Sequence, residues 1–189
     1  MKKIVIRFNA PVILAFALLS LLALLLGKWT DGAATYQYFS VYRASLSDPL
    51  TYVRFFGHVL GHADYEHYMG NMLLILLVGP GLEEKYGRGT MVWTIAVTAL
   101  VTGLVYFVFF PGSVLLGASG VVFMMIVLSS FTAMRRGEIP ITLILVVIFY
   151  LGGEWIDAVT VQDNVSHLTH IVGGLCGLVF GFTIRRSRR

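Results

Sequence analysis

Long uninterrupted apolar runs constrain this chain more than any other feature of its sequence. The runs at residues 11–27 and 90–110 contain no charged residue at all. Charged residues make up only 13% of the chain, whereas a typical soluble domain has about 25%. The sequence therefore predicts an all-α integral membrane protein.

Six apolar segments can be marked, and we expect each to form a transmembrane helix of a single domain that occupies residues 1–189. Several of them are shorter than the ~20 residues that span a typical bilayer, which implies local thinning or helices that end below the surface. The segments are 11–27, 68–82, 90–110, 114–134, 140–153 and 167–184.

A long polar and aromatic segment, residues 28–66, separates the first two apolar segments. It is too long for a simple connector, so we predict a structured or functional loop. An alternative makes the first segment a signal peptide, because "MKK", an apolar core and "GAA" at 32–34 resemble the three signal regions. The apolar run is long for a signal core, and either interpretation places the loop on the outer side.

Positive charges predict the orientation of the six helices. Basic residues follow the second, fourth and sixth segments and precede the first, which places both termini in the cytoplasm. The charges also fit membrane orientation better than nucleic-acid binding. The single cysteine, Cys176, provides neither a disulfide nor a Cys-based metal motif. The orienting residues are Lys2, Lys3, Arg7, Lys85, Arg88, Arg135, Arg136, Arg185, Arg186, Arg188 and Arg189, against Asp157 and Asp163 on the outer side.

Polar residues from three predicted helices fall at one depth below the outer face. With a rise of 1.5 Å per residue, Ser119 and His170 lie roughly 5–8 Å below their predicted helix starts. His67 and Asn71 open the second helix in the same layer. Ionisable and polar groups inside a bilayer are costly, and they are functional candidates by default.

Each of these features has a structural alternative. Gly117 and Gly120 could form a packing surface, and Gly173 and Gly177 form a small-xxx-small pair that favours close helix packing whatever the function. Taken alone, Asn71 could be an interhelical hydrogen-bonding residue, and His170 a satisfied core histidine. The coincidence of serine, histidine and amide at one depth favours a catalytic site.

Four short motifs occur in the order and at the separations of a known family. Over segments two to six and the preceding loop, the chain resembles the bacterial-type rhomboid family of intramembrane serine proteases, which has a six-helix core. "HVLGH" at 58–62 also resembles the histidines that lead into the family's second helix. The motifs are "HYMGN" at 67–71, "GPGLEEKYG" at 79–87 with Glu83 in the acidic position, "GASG" at 117–120 and "HIVGGLCG" at 170–177.

The chain departs from the family pattern at several positions without losing a catalytic group. The family's Trp-Arg in the first outer loop is Val53-Arg54 here, and the tyrosine found in many bacterial members is Phe123. Leu116 precedes Gly117 where some members have glycine, and Thr169 precedes the histidine where alanine is usual. An inactive member is therefore the less favoured interpretation.

The residues predict a Ser119–His170 dyad, because no acidic residue is available at this depth. Ser119 would attack the scissile carbonyl and His170 would transfer the proton. His67, Asn71 and the Ser119 backbone N–H are the candidate oxyanion donors, His67 and Asn71 lying one helical turn apart on one face. Phe123, one turn from Ser119, could stack on His170. Gly117 and Gly120 would allow substrate and helices to approach closely.

The resemblance implies a multi-pass integral membrane protein, located in the plasma (inner) membrane if the source is a bacterium, with its active site open to the outer side. Its substrates would be transmembrane proteins, which enter from the lipid and are cut near the outer face. We expect no cofactor and no metal. His58 and His62 could form a metal pair with His67, but loop hydrogen bonds are the favoured interpretation because H-E-x-x-H is absent. Glu83 is predicted to tie its helix to a loop, and Arg54 to hold the outer loop to lipid or to backbone carbonyls.

Two other function classes remain open at this point. One is a non-catalytic rhomboid-like protein that binds transmembrane helices. The other is a small transporter, which is disfavoured because the polar cluster lies near one face and no inverted repeat is visible.

Overall fold

The computed structural model describes residues 8–132, 134, 138–152 and 164–187. Within these ranges the regular secondary structure is helical, apart from one isolated antiparallel bridge between Val41 and Leu115. A 3-10 turn at His58–Leu60 follows α3, and a π-helical turn at Val147–Leu151 follows α7. The helices are α1 (Pro11–Trp29), α2 (Ala33–Tyr38), α3 (Pro49–Gly57), α4 (Tyr65–Tyr86), α5 (Arg88–Phe109), α6 (Ser119–Ser130), α7 (Ile141–Val146) and α8 (Asn164–Ser187).

Three of the described helices are long and apolar enough to cross a membrane: α1, α5 and the His167–Ile184 part of α8. Helix α6 has 12 residues and is too short for this criterion. The prediction of a helical membrane protein is confirmed. Many residues on which the predicted orientation depends lie outside the described ranges, namely Lys2, Lys3, Arg7, Arg135, Arg136, Asp157, Asp163, Arg188 and Arg189, as does Gly153 at the end of the fifth predicted segment.

Each predicted segment overlaps a described helix, but their ends differ by up to five residues when the π-helical turn is counted with α7, and one of these differences is important. The predicted start of the fourth segment, residue 114, was wrong, because α6 begins at Ser119. Residues 114–118 are not helical, and Gly117 has a φ of +128°, which an α-helix does not contain. Ser119 therefore lies at the start of its helix, and not several residues inside it.

Helices α6 and α8 pack closely against each other, and glycine residues in α8 make this close approach possible. A Cβ atom added to Gly173 would lie 2.9 Å from the Gly120 Cα and even closer to the Gly120 carbonyl oxygen. One added to Gly177 would lie 2.9 Å from the Cβ of Val127. The two helices thus touch backbone to backbone, as small residues allow in membranes. The packing role predicted for Gly173 and Gly177 is confirmed.

Glu83 joins two helices at one end of the bundle. Its carboxylate is buried and accepts hydrogen bonds from the backbone N–H groups of Val12, at 3.1 and 3.2 Å, and Ile13, at 3.0 Å. These groups have no acceptor within their own helix, because they lie in the first turn of α1. The predicted structural role of Glu83 is correct, but its partner is a helix N-terminus and not a loop.

The segment 28–66 is structured, as predicted. It folds into α2, α3 and the 3-10 turn, and Arg54 is buried within it. The Arg54 guanidinium donates to the Gln37 carbonyl at 2.9 Å, pairs with Asp48 at 3.1 Å and lies 4.6 Å from the centre of the Tyr42 ring. Of the two roles considered for Arg54, the structure supports binding to a backbone carbonyl.

Candidate active site

The chain that leads to Ser119 is held by the outer loop. Val41 and Leu115 exchange two backbone hydrogen bonds of 2.8 Å, and the Gly117 N–H donates to the His58 carbonyl at 2.9 Å. Val41 and His58, the partners of Leu115 and Gly117, both belong to the segment between α1 and α4. As the first residue of α6, Ser119 has a backbone N–H with no acceptor inside the helix. The loop therefore determines where the serine and its N–H group lie.

The backbone conformation at position 117 and the neighbouring side chain both require glycine there. Its φ of +128° is one that side-chain-bearing residues rarely adopt, and an added Cβ would lie 2.9 Å from Cε1 and Nε2 of His67. The imidazole of His67 thus lies directly against Gly117. Gly120 faces the other way, since its Cβ would meet the methyl groups of Thr102 and Thr169 at 3.2 Å.

Helix α4 presents His67 and Asn71 on one face. Asp64 caps this helix, and its carboxylate accepts from the His67 backbone N–H at 2.7 Å. The Asn71 amide donates to the His67 carbonyl at 3.2 Å and is 7% exposed. The predicted arrangement of the two side chains, one turn apart, is present.

Helix α8 brings His170 against α6. The rings of His170 and Phe123 are stacked, with centroids 4.3 Å apart and planes inclined by 7°. The spacing argument is confirmed for this contact, since Phe123 lies one turn from Ser119 and its ring stacks on His170.

The polar side chains described above line one cavity of about 450 Å³. Ser119, His170, His67 and Asn71 all line it, together with the loop residues before Ser119. None of the described residues that line it is an aspartate or a glutamate. The tertiary structure therefore brings the four predicted polar residues, a serine, two histidines and an asparagine, to one cavity of ligand size.

His58 and His62 are buried in the loop, outside the spanning helices, and each contacts a backbone carbonyl. Nε2 of His58 is 3.0 Å from the Ala99 oxygen, and Nδ1 of His62 is 3.2 Å from the Leu60 oxygen. Burial lowers the pKa of each to about 4, so both are neutral at pH 7. Among the residues that the structure describes, no three His, Cys, Asp or Glu side chains form a metal-binding group.

Some contributors to the site were missed from the sequence. Val41 and the His58 carbonyl contribute through main-chain hydrogen bonds. Such bonds do not depend on residue type, so the sequence does not predict them. Asp64 could have been found, because an aspartate directly before an apolar helix is a common N-cap. It orients the first turn of α4, where His67 lies.

The fold and the cavity together define a class: a helical membrane protein that places a serine, two histidines and an asparagine from three helices around one cavity. A family model for the rhomboid domain matches residues 49–187. The chain belongs to the rhomboid family.

Two relatives show the extent of the similarity. The chain is 33% identical over 142 residues to Rhomboid-related protein 1 of Caenorhabditis elegans, covering 69% of this chain and 39% of that protein. It is 30% identical over 164 residues to Rhomboid-related protein 2 of Mus musculus, covering 74% of this chain and 53% of that protein. The chain thus spans about half or less of the length of these relatives.

Proposed function

We propose that this protein is an intramembrane serine endopeptidase that cleaves transmembrane segments of membrane proteins near the outer face. The observation that carries the proposal is the cavity lined at once by Ser119, His170, His67 and Asn71. Membership of the rhomboid family supports the same reaction class. Acyl transfer needs a nucleophile, a base and oxyanion donors, and each has a candidate here.

In the proposed reaction Ser119 attacks the scissile carbonyl while His170 accepts the hydroxyl proton. His170 then returns this proton to the leaving amine, and water hydrolyses the acyl-enzyme. Phe123 acts as a positioning residue, because its stacked ring limits rotation of the imidazole. It thereby takes the orienting role that an aspartate has in a triad.

The negative oxygen of the tetrahedral intermediate would be bound by three donors. They are the His67 imidazole, the Asn71 amide and the Ser119 backbone N–H. The contact of His67 with Gly117 supports this assignment, since it brings the ring to the residue two positions before the nucleophile. Removing one such donor typically costs about 2.7–4 kcal/mol of transition-state stabilisation.

We further propose six membrane crossings with both termini in the cytoplasm. Helices α4, α6 and α7 with its π-helical turn would add to the three helices that already meet the length and hydropathy requirement. The short α6 would start below the outer surface, so that water reaches Ser119 through the cavity. In a bacterium the protein would reside in the plasma (inner) membrane, and substrates would enter from the lipid.

A serine-directed fluorophosphonate probe tests the proposal on the detergent-solubilised protein. We expect Ser119→Ala to abolish labelling and His170→Ala to slow it by at least about 10³-fold. Ser129→Ala, in the same helix but bonded to the Ile126 carbonyl, is the matched control and should label like the wild type. Equal labelling of wild type and Ser119→Ala would refute the nucleophile assignment.

The alternative is a catalytically inactive rhomboid protein that binds transmembrane helices. It predicts that Ser119→Ala and His170→Ala leave every cellular activity of the protein intact. Reconstitution with a transmembrane substrate distinguishes the two functions: the protease releases two fragments, whereas the inactive protein retains the intact substrate and releases none.

A further inference from the structure

A second cavity, of about 490 Å³, lies between α1 and α5 and shares no lining residue with the candidate active site. Its lining includes Ala15 and Phe16 of α1, Val92 and Ala96 of α5, and Phe56 of α3. Among the lining residues that the structure describes, every side chain is apolar except that of Arg88. We refer to this cavity as the α1–α5 groove.

The length of the groove matches one leaflet of a bilayer. Its lining extends along α5 from Arg88 to Ala99, which is about 16 Å at 1.5 Å per residue. The hydrocarbon core of a bilayer is ~30 Å thick, so one leaflet is about half of that. Since Arg88 is the first residue of a candidate span, the groove runs from a membrane interface towards the bilayer centre.

Arg88 places a cation at the interfacial end of the groove. Its side chain is 73% exposed, and its Nε lies 4.0 Å from Glu83 Oε1. The Glu83 oxygens already accept hydrogen bonds from Val12 and Ile13. A guanidinium has five N–H donors and binds phosphate oxygens in pairs. The exposed part of Arg88 is thus suited to an anionic phosphate at the membrane surface.

The dimensions and chemistry of the groove suit a single hydrocarbon chain. The groove holds about 490 Å³ over a length of about 16 Å. A hydrocarbon chain needs no hydrogen-bonding partner, and the apolar walls that the structure describes offer none.

We propose that the α1–α5 groove binds one acyl chain of an anionic phospholipid whose phosphate is held by Arg88. A lipid seated there would contact α1, α5 and α3 at once and so join the outer loop to the helices beneath it. The loop in turn holds the segment before Ser119. This site is independent of whether the protein is a protease.

Native mass spectrometry of the detergent-solubilised full chain, titrated with dioleoyl-phosphatidylglycerol, tests the proposal. We expect one lipid to remain bound to the wild type at the lowest concentrations. Arg88→Gln should weaken this one-to-one complex about tenfold, because a charge-assisted pair is lost. Ala96→Phe, which fills the groove, should weaken it at least tenfold. Inorganic phosphate at the same concentrations should neither compete with the lipid nor stabilise the protein.

Two matched controls separate the groove from the general lipid annulus. Lys28→Gln removes the same charge at the opposite end of α1, and Val108→Phe adds a ring to an exposed part of α5 that does not line the groove. Both should bind the lipid like the wild type. The proposal is wrong if Ala96→Phe binds lipid normally, if the controls weaken binding equally, or if Ala96→Phe instead dissociates a dimer without changing lipid retention.

Discussion

Replacing Gly173 by alanine adds one methyl group where α6 and α8 touch. The new Cβ would lie 2.9 Å from the Gly120 Cα and closer still to the Gly120 carbonyl oxygen, whereas ordinary contact begins at 3.4 Å, so the helices must separate by more than half an ångström. Overpacking of this kind costs about 1–3 kcal/mol. Alanine recovers about 1 kcal/mol through its higher helix propensity. We therefore expect a net loss of up to about 2 kcal/mol of stability.

The same displacement should affect the proposed chemistry more than the stability. Ser119 immediately precedes Gly120, and His170 lies one turn before Gly173, so separating the two helices moves the nucleophile away from its base. A misplacement of about 1 Å can cost about 10²-fold in rate. We expect the rate of fluorophosphonate labelling to fall at least about tenfold.

Thermal unfolding in detergent and labelling kinetics measure the two effects on the same samples. A loss of 1 kcal/mol lowers Tm by about 2–4 °C for a chain of this size. Gly81→Ala is the matched control, because a Cβ there meets nothing within 4 Å, and it should raise stability slightly. The reasoning is refuted if Gly173→Ala unfolds at the same temperature as Gly81→Ala and labels at the wild-type rate.

Three further predictions follow from buried contacts. Glu83→Gln should lower the free energy of unfolding by about 1–3 kcal/mol, because a backbone N–H of α1 loses its acceptor. Glu84 is exposed, so Glu84→Gln should unfold like the wild type. Phe123→Ala should slow labelling about threefold to tenfold and Phe123→Tyr should restore it, since the ring stacks on His170. Burial lowers the pKa of His58 from 6.5 to about 4, so the folded state binds fewer protons. Stability should then fall by about 3 kcal/mol as pH drops from 6.5 to 4, and His58→Gln should reduce this dependence in unfolding measured against pH.

Clear outcomes would contradict each of these expectations. Equal Tm values for Glu83→Gln and Glu84→Gln would exclude a capping role for the buried carboxylate. Normal labelling by Phe123→Ala would show that the stacked ring does not position His170. An unchanged pH profile in His58→Gln would show that another group controls acid unfolding.

Much of the fold could be predicted because it depends on local patterns. Apolar runs determine which segments become membrane helices, and helical spacing determines which residues share a face. The arrangement of His67 and Asn71 on one face of α4 follows from such spacing, and the small-xxx-small pair at Gly173 and Gly177 predicts close helix packing. Each of these features depends on the types and spacing of residues that are close together in the sequence.

The sequence by itself determined the class of protein, its helices and the residues that meet at the cavity. Only the tertiary structure decided that Ser119 begins its helix, that Glu83 caps α1 and that the α1–α5 groove is present. The physical reason is that these features depend on main-chain hydrogen bonds and shape between segments far apart in sequence. Val41 and Leu115 pair through their backbone N–H and C=O groups. Every residue except proline carries both groups, so no pattern of residue types reveals the contact.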